Sequence, residues 1–407
     1  MNLDQKLRIL ADAAKYDASC ASSGSSKRNS LGGSGIGSTE GNGICHSYAP
    51  DGRCISLLKI LLTNFCIYDC HYCINRVSSN VPRARFAADE IIKLTLDFYS
   101  RNYIEGLFLS SGIIRDADYT MELLVRVARE LRETHDFRGY IHLKAIADAS
   151  DALLAEAGRY ADRVSVNVEL ASETSLHRLA PQKDAQTIKR SMASLREHID
   201  ESRSETNAPR FAPGGQSTQV IVGADTTRDR EILERSETLY SAYRLRRVYY
   251  SAFSPIPDAS KLLPLQPAPQ IREHRLYQAD WLMRYYGFRS DEIFDATEGM
   301  LDLEIDPKLA WALKHREQFP VDVNAGPREQ LLRVPGLGVK TVDRIIAARR
   351  VRRIHYDDLQ RLHLPLKRIL PFIKVPGDRK RKIIDSSMLD SVLRPKQEQL
   401  SLLPVNA

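Results

Sequence analysis

A chain of 407 residues, 43% of them hydrophobic and 27% charged, has an ordinary globular composition with room for one large domain and at least one small one. No apolar run approaches the roughly 20 residues that cross a bilayer, and the stretch from Met1 to Arg8 lacks the apolar core of a signal peptide, so a membrane partner is excluded and a cytoplasmic location expected. The net charge of +7 is mild for this length, so its distribution matters more than its total, and six cysteines in a reducing compartment point to metal or redox work and not to disulfides.

Residues 1–19, with Leu7, Leu10 and Ala14 among charges, predict a short amphipathic helix. The segment 22–43 is rich in Ser and Gly and reads as a mobile loop, either a connector or a cover that orders over a substrate. Cys20, Cys45 and Cys54 bracket it. They are read as small buried thiols, as ligands of a second cluster or, for Cys45 and Cys54, as hydrogen-atom donors. The extension 1–53 thus precedes a domain expected over 54–262.

From Ile55 to about Pro257, short strand-like runs alternate with longer helical ones, the pattern of parallel βα units. Strands are expected over 56–62, 106–110, 140–145, 164–170, 218–223 and 247–253, with helices over 88–102, 119–133 and 228–243. Six such units make an α/β partial TIM-like barrel, (β/α)6. The strand faces are unequal: between Val164 and Leu170 one face is Val and Leu while the other is Ser165, Asn167 and Glu169. His142 and Lys144 repeat this, as do Tyr249 and Ser251. A closed TIM barrel fills its interior with branched apolar side chains, so a polar inner face predicts an open lumen for ligands; the alternative is a one-sided sheet facing solvent.

Directly after the first strand, Cys66, Cys70 and Cys73 stand in C-x3-C-x2-C order. Three thiolates are one short of a closed zinc tetrahedron, whereas a [4Fe-4S] cube held by three leaves one iron free for another ligand. From the spacing alone, zinc closed by His71 or a remote Cys stays open. The spacing, with Tyr72 just before the last Cys, resembles the signature of the radical S-adenosylmethionine (SAM) superfamily. That resemblance implies that the free iron chelates SAM and that the reduced cluster cleaves it to a 5′-deoxyadenosyl radical, with an electron donor such as flavodoxin or ferredoxin. It also implies cofactor roles for particular residues. Tyr72 is one. Ser110, Ser111 and Gly112 occupy the place of a Gly-Gly-Glu motif that meets the SAM amino group, with carbonyls and a serine hydroxyl replacing the missing acid. Glu169 would meet the ribose hydroxyls or the methionyl group, Arg178 and Lys183 the SAM carboxylate, and Gly223 belongs to the segment that packs on adenine. No Asp/Glu pair or Ser/His arrangement suggests a competing hydrolytic site.

Pro255, Pro257, Pro264, Pro267 and Pro269 mark a change of character. A helical linker is expected over 263–320, in which a helix from Arg272 to Tyr286 docks Leu276, Ala279, Leu282 and Met283 on the barrel and its aromatic stripe reads as packing. Residues 322–350 resemble a helix-hairpin-helix DNA-binding motif with the turn Pro335-Gly336-Leu337-Gly338. Glycines let the backbone turn sharply and approach a phosphate, with amides at a helix N-terminus favouring the anion. Lys340 and Arg344 add Coulomb attraction without reading sequence. A degenerate second copy over 356–373 lacks the glycines. From Thr341 to Lys382 there are thirteen Lys or Arg against four Asp, a local net of +9 that exceeds the balance of the whole chain. An all-α helix-hairpin-helix domain is therefore expected over 321–376, with a basic tail over 377–407.

In this order, the two modules resemble a family described as DNA modification or repair radical SAM proteins, linked to a uracil-DNA-glycosylase-like partner. The resemblance implies an enzyme that takes hydrogen from a nucleotide in DNA. The residues leave open tRNA or other RNA as the polymer, and a DNA-binding protein whose cluster is only structural.

Overall fold

The computed structural model describes residues 1–14, 44–48, 54–205, 207–294, 299–378, 389 and 393–394. The expectations for Cys20, for the loop 22–43 and for most of the basic tail lie outside these. The chain forms two compact units, Met1–Thr227 with Arg235–Pro269, and Arg228–Glu234 with Gln270–Ala407.

The first unit is built on a seven-stranded sheet. Its elements are α1 (Leu3–Ala14), β1 (Ile44–Tyr48), β2 (Cys54–Leu61), α2 (Ala88–Ser100), β3 (Gly106–Ser110), α3 (Ala117–Glu133), β4 (Tyr140–Lys144), α4 (Asp151–Tyr160), β5 (Arg163–Ser165), α5 (Glu173–Leu179), α6 (Ala185–Ser204), β6 (Gln216–Val222), α7 (Asp229–Tyr243), whose residues up to Glu234 count with the second unit, and β7 (Arg247–Ala252). The strands lie in chain order, β2 to β7 all parallel, which is the α/β partial barrel expected of six βα units. The sequence reading missed β1, which pairs antiparallel with β2 in a register that sets Cys45 opposite Leu57 and Tyr48 opposite Cys54. Five residues beside a Ser/Gly-rich stretch carry too little periodicity to reveal a strand.

Helices begin where side chains take up free amides. Asp116 accepts the Tyr119 N–H at 2.7 Å ahead of α3, and Asp184 the Thr187 N–H at 2.7 Å ahead of α6. The buried face of α3 (Leu124, Val127, Ala128, Leu131) recurs at helical spacing, and Leu107, Leu109, Ile141 and Leu143 are fully buried on the strands.

One strand is shorter than its alternation predicts. The β5 ladder stops at Ser165, because the Thr218 hydroxyl, and not a backbone carbonyl, accepts the Val168 N–H at 2.9 Å. Pairing resumes as a single bridge from Glu169 to Val220, with Glu169 in the left-handed region at φ 62°. A non-glycine residue held there carries backbone strain of the kind found at ligand sites.

The second unit holds α8 (Gln270–Tyr286), α9 (Ser290–Ile293), α10 (Pro307–Lys314), β8 (Val321–Asp322), α11 (Arg328–Arg333), α12 (Val339–Val351), α13 (Tyr356–Arg361), α14 (Leu366–Ile369) and β9 (Ile373–Lys374). It departs from expectation in two ways. Its fold is not all-α, since β8 and β9 pair in parallel through Val321 with Ile373 and Asp322 with Lys374. Nor is 263–320 a separate linker from Gln270 onward: α8 packs on α10 and α11, so the segment joins the same unit as the hairpin. Trp311 of α10 anchors it, 3% exposed, with its ring 5.3 Å from Phe288 and 6.2 Å from Phe319.

The helices α11 and α12 flank the expected turn, with Leu331, Leu332, Val342 and Ile345 buried. Gly336 has φ 87°, and a Cβ there would stand 2.9 Å from Cγ1 of Ile369 on α14, so the turn requires glycine and packs on the second helix pair. Gly338 is different: its φ is −93° and a Cβ would meet only the Tyr286 hydroxyl at 3.6 Å. The sharp turn accounts for the first glycine, not for the second.

Candidate cofactor site

The loop after β2 carries Cys66, Cys70 and Cys73, and all three line one cavity with residues that run from the middle of the parallel strands to just past their C-terminal ends: Leu61, Lys144, Asn167, Glu169, Gln219 and Ser251. Ligands collect at this end of parallel barrels. Counted with its open mouth, the cavity measures about 1340 Å³. The polar strand faces therefore do turn inward. Deeper in, His142 and Ser165 are buried and bonded to each other at 3.1 Å.

Local hydrogen bonds shape the cysteine loop. A turn sets the Cys73 N–H on the Cys70 carbonyl at 2.8 Å, and the His71 N–H reaches the Leu179 carbonyl at 2.8 Å. Backbone amides point at sulfur: Tyr68 and Ile113 donate to Cys66, and Asn75 to Cys73, each at 3.4 Å. Such bonds favour a thiolate and tune a cluster held by it. Burial, then the charge of Cys70, pushes the Cys73 thiol up to about 12, and burial pushes the Cys70 thiol upward against the opposing pull of Lys183. Thiols in that position ionise when a cation is present to hold them.

Arg83 holds the loop together and was not anticipated. One guanidinium donates to the carbonyls of Asn64, of Asn75 at 2.8 Å, of Arg76 at 2.6 Å and of Ser79 at 2.9 Å. Nothing local in the sequence marks it, since its acceptors are backbone atoms.

Tyr72 packs its ring against the cluster of Leu170, Leu179, Ala224, Phe253 and Leu263. Gly112 is required by contact: a Cβ would stand 2.3 Å from the Phe65 carbonyl oxygen, so the end of β3 lies against the cysteine loop, and the Gly112 N–H bonds the Thr63 carbonyl at 2.8 Å. Ser111 lines the cavity, but its hydroxyl donates to the Gly112 carbonyl at 2.6 Å. Ser110 does not line it; its side of the strand is buried and its carbonyl accepts the Leu62 N–H.

Glu169 and Lys183, singled out separately, meet at 2.5 Å inside the cavity. Burial disfavours the Lys183 ammonium, but the Glu169 carboxylate and then Cys70 more than offset it and hold Lys183 above the ordinary lysine range. Beside them Tyr68 donates to Asp148 at 2.7 Å, and burial, then that carboxylate, pushes the phenol upward. Sequence reasoning missed Tyr68, Asp148 and Asn75 as lining residues; Tyr68 lies between Cys66 and Cys70, and that position was the only signal.

Other expected residues lie elsewhere. Arg178 is exposed on α5 and absent from the cavity lining, because the helix turns its apolar Leu176 and Leu179 inward. Gly223, with φ 80°, follows β6 and lies outside the lining, to which the strand contributes Gln219 and Ile221. Cys54 starts β2 and is exposed, at the opposite end of that strand from the cysteine loop, roughly 23 Å away at 3.3 Å per residue. Cys45 packs beside Ile55, Leu57 and Phe108. Neither lines the cavity, so neither is placed to give a hydrogen atom there.

The lining suits an iron-sulfur cluster and a polar organic ligand. Buried Asn167 Nδ2 and Asn75 Oδ1 have no hydrogen-bond partner among the described residues, and both residues line the cavity; such atoms ordinarily have a partner. His71, the alternative zinc ligand, lies outside the lining. Among the described residues no three His, Cys, Asp or Glu side chains gather tightly enough to share a single ion. A cube takes one cysteine per iron corner and needs them only around a common space.

Residues 60–208 match the family model described as Radical SAM superfamily, a span that holds the cysteine loop, Glu169 and Lys183. No curated protein matches the chain. Among solved structures it is similar to HydG, a maturase of the [FeFe]-hydrogenase, at 12% identity and a TM-score of 0.42 over 55% of this chain and 48% of that one. HydG from Carboxydothermus hydrogenoformans gives 12% and 0.43 over 55% and 50%, and methylornithine synthase (PylB) 13% and 0.40 over 54% and 59%. The chain thus spans about half the length of the HydG structures that it matches. Residues 60–208 thus match the radical SAM superfamily, whose members use a [4Fe-4S] cluster and SAM as cofactors.

Proposed function

We propose that the protein removes a hydrogen atom from a nucleotide in DNA, in modification or repair. The observation that carries the catalytic half is the single cavity shared by Cys66, Cys70 and Cys73 with the unpartnered Asn75 and Asn167 and the Glu169–Lys183 pair. The three cysteines would hold the cluster, and Asn167, Glu169 and Lys183 would bind the polar groups of SAM. When bound, the two cofactors supply one-electron chemistry that ends in hydrogen-atom abstraction.

The chain's own residues orient and shield. Lys183 stays an ammonium beside Glu169, so the pair presents a fixed donor and a fixed acceptor to a zwitterionic ligand. Ile113, Ile146, Ile188, Ile221 and Phe253 line the apolar part of the cavity and keep water from the reacting atoms.

The polymer half rests on the turn at Gly336 to Gly338, with Lys340 and Arg344 exposed on α12 in a stretch of strong positive charge. A glycine edge and exposed cations suit a phosphate backbone. A base inside a duplex is out of reach, so the substrate would be a flipped or unpaired nucleotide. An electron donor such as flavodoxin or ferredoxin is required by the chemistry, and a uracil-DNA-glycosylase-like protein is a candidate partner.

The test is anaerobic incubation of the reconstituted protein with reductant, SAM and either DNA or tRNA, followed by mass spectrometry of the nucleosides and measurement of 5′-deoxyadenosine. An altered deoxynucleoside with matching 5′-deoxyadenosine is expected. Alteration of tRNA alone would replace DNA by RNA, and no 5′-deoxyadenosine under any condition would leave only a structural cluster.

A further inference from the structure

The second unit contains a cavity of its own beside the turn, about 1020 Å³ with its open mouth, lined among others by Tyr277, Trp281, Tyr286, Lys308, Gly338 and Arg368. Tyr277 and Trp281 are four residues apart on α8 and so share a face. Trp281 is 49% exposed, with its ring 4.6 Å from that of Tyr285, which is itself 44% exposed. Lys308 ties together another part of the wall. Lys308 is buried, donates to the Leu337 carbonyl at 2.6 Å and lies 4.6 Å over the Tyr286 ring. Gly338 opens toward this space, where the first atom a Cβ would meet is the Tyr286 hydroxyl. Packing therefore explains the inner residues of α8, Leu276, Ala279 and Leu282, but not its aromatic stripe.

We propose that this cavity takes an unpaired nucleobase of single-stranded DNA, stacked on Trp281, with an adjacent phosphate at the turn. Three observations select this occupant. An exposed indole face beside a second aromatic ring is the platform on which bases stack without regard to sequence. The glycine edge leaves room for a phosphate next to that platform. Among the described residues the stretch from Thr341 to Asp378, which follows the turn, has nine Lys or Arg against four Asp, a net charge of +5, with Lys340 and Arg344 exposed, which an apolar peptide would not call for. Arg368 lines the cavity in an ion pair with Asp306.

This inference rests on the reading of the second unit as a DNA holder and adds strand preference to it. A backbone clamp is indifferent to base pairing, whereas an aromatic platform needs base faces that a duplex hides in its stack. The unit would then select the unpaired nucleotide that the proposed reaction requires.

The two tryptophans make the test direct, because Trp311 is 3% exposed and only Trp281 is open to a quencher. The full-length protein is titrated with oligothymidine and with a duplex of equal length at one salt concentration, reading both affinity and indole emission. Oligothymidine should quench emission and the duplex should not. Trp281→Ala should weaken oligothymidine binding about five- to a hundredfold, the effect of losing one stacked base, with duplex binding unchanged, and Trp281→Phe should restore most of it. If oligothymidine causes no quenching, or Trp281→Ala lowers both affinities alike or neither, the base pocket is wrong, while a loss of duplex affinity in Gly338→Val would still support the clamp. If neither DNA binds, the pocket and the DNA reading fall together. Circular dichroism of each variant separates loss of binding from loss of fold.

Discussion

Two side chains show how much of the cofactor site depends on single residues. Arg83 ties together four carbonyls of the loop that carries the cysteines, a task for a planar fork with five donors. A lysine keeps the charge but cannot span those acceptors. Arg83→Lys should therefore leave the helical dichroism unchanged while iron retained after reconstitution falls several-fold, measured by iron assay and by visible absorbance. Full iron occupancy in this variant would show that the loop is organised without the guanidinium. Lys183 is the second case. Lys183→Met, made together with Glu169→Gln so that no buried carboxylate is left unpaired, should keep the cluster absorbance and weaken SAM binding about tenfold or more, the range for charge-assisted hydrogen bonds. Calorimetry with SAM would read this, and unchanged affinity would remove the pair from the SAM site.

At the scale of elements, the hairpin between α11 and α12 separates two reasons for a glycine. Gly336 adopts a left-handed backbone and abuts Ile369 and Pro365, so Gly336→Ala should destabilise the second unit by about 1–2 kcal/mol, read as a lowered melting temperature. Gly338 has an ordinary φ and open space, so Gly338→Ala should melt at the parental temperature. Any loss of DNA affinity in Gly338→Ala is then a loss of approach and not of fold. In the first unit the same scale explains β5. Its alternation predicted seven residues of strand, but the Thr218 hydroxyl interrupts the ladder and leaves Asn167 and Glu169 lining the cavity. A pattern of period two reports which face a residue is on, not whether a neighbouring side chain will displace the backbone bond.

For the molecule as a whole, stability should respond to pH through Lys308. Burial, then Arg333, pushes this lysine from 10.5 down to about 7. Below about pH 7 both folded and unfolded states hold the proton and the folded state bears the cost of burying it. Between about 7 and 10.5 the unfolded state holds more protons, so stability rises with pH, by at most about 1.4 kcal/mol per unit from this group. The melting transition of the second unit should climb from pH 7 to 9 in the parent and climb less in Lys308→Met; equal slopes would show that Lys308 keeps its proton. The sequence by itself determined the cysteine spacing, the strand and helix alternation, the polar inner faces and the turn at Gly336, because each follows from neighbours a few residues apart. Only the tertiary structure decided that Tyr68 meets Asp148 across 80 residues, that Glu169 meets Lys183 across 14, and that Cys54 and Arg178 stand away from the cavity. Those outcomes depend on strand register, helix rotation and bonds to backbone atoms. No residue type announces them, since the partner is selected by where the chain returns in space.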